Sequence, residues 1–483
     1  MEPSHGRTPD SATPPLDPIE PSGDVPGAAV STTTLPRILG PFDALTVVVG
    51  SIIGSGIFLT KTGIVAHQLG SYGFAVMIGV WIVIGLVTLC GALALAELAA
   101  MLPQAGGPYV YLREAYGRLP AFLWGWTEFW VIRTGSIGAL AAATTIYINE
   151  IRPGWMPHLG QMSMTIAIVV GLSIVNMVGT HWAAHLQNLT SVLKVGFLAA
   201  LIVLPFVMGV ANPQNLKPVL PTHFEMSFFA ALGAAMIAVL WPYDGWINIG
   251  PVAEEIRDPQ RNVPLALTAG MILVIVVYVL ANVSYHLVIP LEELAVTKAV
   301  AAKLFERVLG AEWAVAVSIG VACSTFGATN SNMITGPRIY FAMARDGLLP
   351  RAISRVNARF QTPVNAILIQ CVWTVVLVVV AYAWKDDPGD AFDALTNYVI
   401  FGGLIFYSMA VGAVFVLRRK FPDLPRPYKT LGYPVTPALY LMMFGLVMVS
   451  LLFETPWESA AGFILIAAGC LFYKWAKTAM AER

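Results

Sequence analysis

Charge is what this sequence has least of. Acidic and basic residues together make up 12% of its 483 residues, about half the roughly 25% of an ordinary soluble protein. So thin a supply cannot cover a soluble fold of this size while 57% of the residues are hydrophobic, and a soluble globular protein is excluded. The charge that exists is balanced, with 28 basic and 28 acidic residues and no basic block, which excludes a strongly basic nucleic-acid binder. Cysteine is scarce as well. Cys90, Cys323, Cys371 and Cys470 all stand inside apolar runs, where a thiol acts as a small hydrophobe, so neither a disulfide framework nor a metal site is expected. What the chain has in quantity is long apolar segments, with a mean hydropathy of +0.71. This is the composition of a polytopic α-helical membrane protein.

Residues 1–36 stand apart. With Pro14-Pro15, repeated Ser and Thr and no aromatic residue, they cannot bury enough surface to offset chain entropy, and a disordered tail is expected. The tail lacks the basic start and compact apolar core of a signal peptide, so it is expected to be retained. Residues 37–483 read as one helical membrane domain. A bilayer core takes about 20 apolar residues per helix, and twelve spans follow, at 42–68, 73–101, 119–148, 162–180, 187–211, 228–254, 263–290, 311–343, 363–384, 391–418, 434–453 and 457–477. An even number puts both termini on one side. Nineteen Lys and Arg residues fall on that side and seven on the other, so the positive-inside rule makes it cytoplasmic.

Two spans carry helix breakers at mid-membrane. The first reads Val49-Gly-Ser-Ile-Ile-Gly-Ser-Gly-Ile-Phe58, and the sixth reads Leu240-Trp-Pro-Tyr-Asp-Gly-Trp246. Each has an ordinary explanation: Gly50 and Gly54 suit close helix packing, and Pro242 suits a simple kink. The two breaks occupy matching places, however, at the heads of two successive five-span blocks, 42–211 and 228–418, with two extra helices over 434–477. Paired interruptions of this kind point to the substrate site of an inverted-repeat transporter. An unwound helix exposes N–H groups that attract an anion and carbonyls that attract a cation. An α-amino acid zwitterion carries both. Gly54, Ser55 and Gly56 would donate to its carboxylate, and the carbonyls of Ile52, Ile53 and Trp241 would receive its ammonium group.

These residues resemble the amino acid–polyamine–organocation transporters, and within them the L-type amino acid transporters in their bacterial, stand-alone form. The likeness runs from Gly50-Ser-Ile-Ile-Gly-Ser-Gly-Ile-Phe58 through Glu97-Leu-Ala-Ala-Met-Leu-Pro-Gln-Ala-Gly-Gly-Pro-Tyr109 and Val131-Ile-Arg133. It continues in Trp241-Pro-Tyr-Asp-Gly-Trp246, in Glu254-Glu-Ile-Arg-Asp-Pro-Gln-Arg-Asn-Val-Pro264, and from Gly327 to Arg345-Asp-Gly-Leu-Leu-Pro350. It covers most of residues 38–420 and is weak beyond. The resemblance implies twelve helices with a 5+5 inverted repeat, and sodium-independent movement of amino acids, often by exchange. It implies that Ile52, Ile53, Gly54, Ser55, Gly56 and Ile57 clasp the substrate backbone, beside Tyr243 of span 6. Trp241 takes the place of the aromatic gate and Asp244 that of a residue tied to cationic substrates. Lys194 fills the place of a structural sodium, as a fixed tether or as a titrating proton carrier. The eukaryotic members bind a heavy chain through a cysteine between spans 3 and 4. Here Asn149 to Gln161 contain none, so no disulfide-linked partner is expected, and no cofactor.

Other features are read more plainly. Asp244 has the alternative role of capping the second half-helix, and Lys194 that of a lysine snorkelling outward. Glu128 and Arg133 lie five residues apart, hence on different faces of an α-helix, and Arg133 is expected to have its partner elsewhere. Glu97, Glu254 and Glu255, near cytoplasmic helix ends, suit a solvated or salt-bridged gate. His181 and His185 are spaced for a metal but lack a third ligand, and the sequons at Asn188 and Asn282 fall where glycosylation does not occur. A membrane enzyme is set aside for want of a catalytic cluster. A proton-coupled symporter and a non-transporting amino acid sensor remain as alternatives to an exchanger.

Overall fold

α1 (Pro41–Ile52) opens with Pro41 in its first turn and the Asp43 carboxylate accepting the Gly40 N–H at 2.7 Å, a capping arrangement that satisfies an otherwise orphaned donor. The computed structural model describes residues 34–59, 61–221, 227–297, 299–384, 388–454 and 456–481; the tail expected over 1–36 lies, up to residue 33, outside the described residues. After α1 come α2 (Lys61–Leu69), α3 (Phe74–Met101), α4 (Pro108–Tyr116), α5 (Arg118–Thr127) and α6 (Arg133–Glu150). A π-helical turn, Glu128–Ile132, joins α5 to α6 without interrupting the rod. Then follow α7 (His158–Val178), α8 (Thr180–Val207) and α9 (Ser227–Tyr243), the last continued by a 3-10 segment, Trp246–Glu255. The chain proceeds through α10 (Pro259–Val288), α11 (Leu291–Leu294), α12 (Val300–Leu309), α13 (Ala314–Arg345), α14 (Val364–Trp384), α15 (Pro388–Lys420), α16 (Val435–Glu454) and α17 (Pro456–Ala481).

Among the described residues, nine helices are long and apolar enough to cross a membrane. The protein is an all-helical, multi-pass membrane protein. The first expected span, 42–68, is not one helix: α1 stops at Ile52 and helix resumes only at Lys61. The second half of span 6 differs in kind. It winds as a 3-10 helix, because Gly250 and Pro251 interrupt it, Pro251 lacking the N–H an α-turn needs.

The helices are inside-out in their amphipathicity. On α8, Leu189, Val192 and Leu193 are exposed, whereas Gln187, Thr190, Ser191 and Lys194 are buried. On α13, Ser324, Thr325, Thr329, Asn330, Ser331, Asn332, Thr335 and Arg338 all face inward. An apolar solvent inverts the usual rule: polar groups are placed against one another and side-chain hydrocarbon against lipid. α1 occupies the middle, packed against α8, α10 and α13 and against the 3-10 segment.

Candidate functional site

The two breaks meet. Gly245, at φ +104°, lies so close to α1 that a Cβ there would stand 2.7 Å from the Ser51 carbonyl oxygen, and a Cβ on Gly56 would stand 2.9 Å from Cα of Pro242. Glycine is needed at both places for the backbones to approach, and at Gly245 for the left-handed conformation as well. Between them lies a cavity bordered by Ile52, Gly54, Ser55, Gly56, Trp241 and Asp244.

The unwound stretch 53–59 is held from outside by side chains. Tyr278 donates to the Ile52 carbonyl at 3.1 Å, Ser324 to that of Gly54 at 3.0 Å and Tyr285 to that of Ile57 at 3.0 Å. Lys194, fully buried, donates to Gly50 O at 3.1 Å and to Ile53 O at 2.6 Å. It therefore supports the break from behind and takes no part in the cavity wall; it does not snorkel. The carbonyl of Trp241 accepts from the Asp244 N–H at 3.1 Å. The carbonyls assigned to an ammonium group thus already have donors, two of them at Ile53, which Ser324 also reaches at 3.3 Å. The N–H groups of Gly54, Ser55 and Gly56, by contrast, have no acceptor among the described residues. Three donors without an acceptor, on consecutive residues that border one cavity, are of the kind that could hold an anion.

Six of the residues expected at the site border the cavity, and four do not. Ile53 and Ile57 are fully buried in the hydrophobic core. Tyr243 turns away, its hydroxyl donating to Trp81 O at 3.1 Å, and faces a second cavity that shares Trp241, Asp244 and Tyr407 with the first. Lys194 lies behind α1. Trp241 reaches across to span 1, its Nε1 donating to Ser55 Oγ at 3.4 Å. Asp244 does not cap the 3-10 segment, whose N-cap is Gly245 with no side-chain hydrogen bond; it borders both cavities, as Tyr407 does.

Sequence reading missed Ser136, Asn248, Asn332 and Tyr407, which complete the wall. Asn332 belongs to the buried polar stripe of α13 and could have been found by that periodicity; nothing local marks Tyr407. The reading of Arg133 requires correction. Arg133 Nε donates to Glu128 Oε2 at 2.9 Å. The π-turn between them adds a residue to the winding, so positions five apart, which diverge on an α-helix, coincide here.

A belt of ion pairs closes the opposite end of the 3-10 segment. Glu255 meets Arg338 at 2.7 Å, both buried, and Glu254 meets Arg345 at 3.0 Å. Glu97 receives Arg418 at 2.8 and 2.6 Å and the Thr430 N–H at 2.7 Å. Nearby, Asp346 accepts from Tyr109 at 2.6 Å and from Arg113; burial and the adjoining Asp346 carboxylate push the Tyr109 phenol above its ordinary pKa. Leu39 pairs with Ile256 in a parallel bridge, tying the start of α1 to the end of the 3-10 segment. The His181 and His185 rings lie 4.2 Å apart, tilted by 57°, and among the described residues no group of three His, Cys, Asp or Glu side chains is arranged for a metal.

A sequence model described as amino acid permease matches residues 39–473, past residue 420 where the motif resemblance fades. The Homo sapiens cystine/glutamate transporter is 31% identical over 443 residues, covering 90% of this chain and 84% of that protein. The Homo sapiens b(0,+)-type amino acid transporter 1 is 31% identical over 456 residues, 92% of this chain and 88% of the relative. The Homo sapiens large neutral amino acids transporter small subunit 2 is 32% identical over 457 residues, with 92% and 82% covered.

Proposed function

This chain belongs to the amino acid permease family, and from that premise we propose that it is a sodium-independent exchanger of neutral and cationic L-amino acids in the cell membrane. The observation that carries the reading is the nest of free N–H groups at Gly54, Ser55 and Gly56 opening on a cavity that also holds Asp244. The nest takes the substrate carboxylate. Its ammonium group approaches the carbonyls of Ile52 and Trp241, and Ile53, Ile57 and Tyr243 support the clasp from the core side. Trp241 acts as the gate, and Asp244 attracts a cationic side chain. The printed names of the relatives, which include cystine/glutamate, b(0,+)-type and large neutral amino acid transporters, support amino acids as the substrate class.

The fold proposed for this function has twelve spans over residues 37–483, with inverted repeats at 42–211 and 228–418 and extra helices at 434–477. Support comes from the two interruptions, after Ile52 and at Asp244-Gly245, at matching places in the two halves. Both termini face the cytoplasm by the distribution of basic residues. Because Asn149 to Gln161 lack cysteine, no disulfide-linked partner is assigned. Alternating access opens the cavity to one side by parting Trp241 from Ser55, and to the other by breaking the Glu255–Arg338 and Glu254–Arg345 pairs.

In this reading Lys194 replaces a structural sodium, holding the unwound segment by two carbonyls. Its ammonium group meets those carbonyls and no carboxylate among the described residues, which favours a second reading, proton-coupled symport through that amine. Proteoliposomes separate the two. Exchange requires internal amino acid and ignores a proton gradient; symport fills empty vesicles when an inward proton gradient is applied. Protein that moves no amino acid under either condition overturns both.

A further inference from the structure

Asp244 is not the only charge at the cavity. Arg133 borders the same space, with Nε on Glu128 Oε2 at 2.9 Å and Nη1 on Asn332 Oδ1 at 2.5 Å. The pair is buried, with Arg133 3% and Glu128 0% exposed, and the second carboxylate oxygen of Glu128 has no hydrogen-bond partner. Glu128 and Arg133 both lie within electrostatic reach of Asp244. Two carboxyl groups and one guanidinium therefore share a desolvated cluster, in surroundings where charges interact far more strongly than in water.

We infer that the Glu128–Arg133 pair determines the charge specificity of the site by holding Arg133 away from Asp244. This inference rests on the transport function proposed above. Paired with Glu128, Arg133 is neutralised by its own partner, and the Asp244 carboxylate is left to attract a cationic substrate side chain. Without Glu128, Arg133 becomes the counter-charge of Asp244 and the cluster carries no net charge. The π-turn is what makes this arrangement possible, since an uninterrupted α-helix would turn Glu128 and Arg133 apart. Asn332 fixes the far edge of the guanidinium, so charge added there acts on the same balance.

The test is competitive uptake into proteoliposomes preloaded with amino acid, with lysine and leucine as probes and their ratio as the readout. Glu128→Gln lowers the lysine-to-leucine ratio at least tenfold. Asn332→Asp, nearly isosteric, adds a carboxylate beside Arg133 and raises the ratio. A purely structural role for the pair predicts that both variants lose lysine and leucine uptake alike, with the ratio unmoved. Should Glu128→Gln fail to yield folded protein, Asn332→Asp decides alone. An active parent protein whose ratio stays within twofold in the folded variants overturns the inference; a parent that moves neither probe overturns the transport function, and the inference with it.

Discussion

At the scale of single residues, close approach and desolvation govern this site. Gly245 combines φ +104° with a Cβ position 2.7 Å from the Ser51 oxygen. Gly245→Ala is therefore expected to abolish transport and lower stability by about 1–3 kcal/mol, read as a fall in thermal midpoint in detergent. Gly79→Ala, with nothing within 4 Å of the added carbon, should leave both unchanged. Asp244→Asn should lose lysine uptake while keeping leucine uptake; a full parental substrate range would count against the role assigned to Asp244. The composition of the cradle was legible from the sequence, because glycine and serine crowded into mid-membrane are hard to explain as ordinary helix. Which groups of that cradle remain free was not legible, since it depends on Tyr278, Ser324 and Lys194 arriving from distant helices to occupy the carbonyls.

At the scale of elements, winding changes which residues meet. The sequence-based assumption of an α-helix through 128–133 separated Glu128 from Arg133, and the π-turn joins them. Deleting Phe129 would return this stretch to α-helical register with the two residues four apart, on one face of the helix, so the pair should survive loss of the turn. Breaking a buried pair costs about 3–5 kcal/mol, so the thermal midpoint of the deletion variant should fall far less than that of Glu128→Ala, which removes the carboxylate. A deletion variant as unstable as Glu128→Ala would show that the pair depends on the π-turn itself. Span 6 gives the same lesson in the other direction. Pro242 and Gly245 announced its break, and Pro251 removes an N–H from its second half, but the close approach of Gly107 to Gly250 and Pro251 comes only with the fold. Interruptions are visible in sequence; the geometry that replaces the α-helix depends on what packs against it.

At the scale of the whole molecule, the Glu255–Arg338, Glu254–Arg345 and Glu97–Arg418 pairs gather at one end, and the free donors stand at the cavity beside the Glu128–Arg133 pair. That division suits a carrier whose closed end must reopen. Glu255→Gln leaves the Arg338 guanidinium buried without its carboxylate, and a loss of about 3–5 kcal/mol is expected, together with greater labelling of pocket residues from the cytoplasmic side. Replacing sodium by choline on both sides of the membrane should leave uptake unchanged, because Lys194 already supplies the positive charge behind α1. Uptake that collapses without sodium would remove that role.

The sequence by itself determined the solvent, the run of helices, the two weak points and the family, because each follows from local composition: hydrocarbon length, helix breakers and motif identity. Tertiary structure alone decided which atoms face the cavity. Ile53, Ile57 and Tyr243 belong to the same motifs as Gly54 and Asp244, yet they point into the core or into the neighbouring chamber. Arg133, Asn332 and Tyr407 enter from three other helices. The physical reason is that a broken helix has no fixed face. Once the i→i−4 bonds are given up, the direction of each side chain is set by what fills the space and satisfies the backbone around it, and those partners lie hundreds of residues away along the chain.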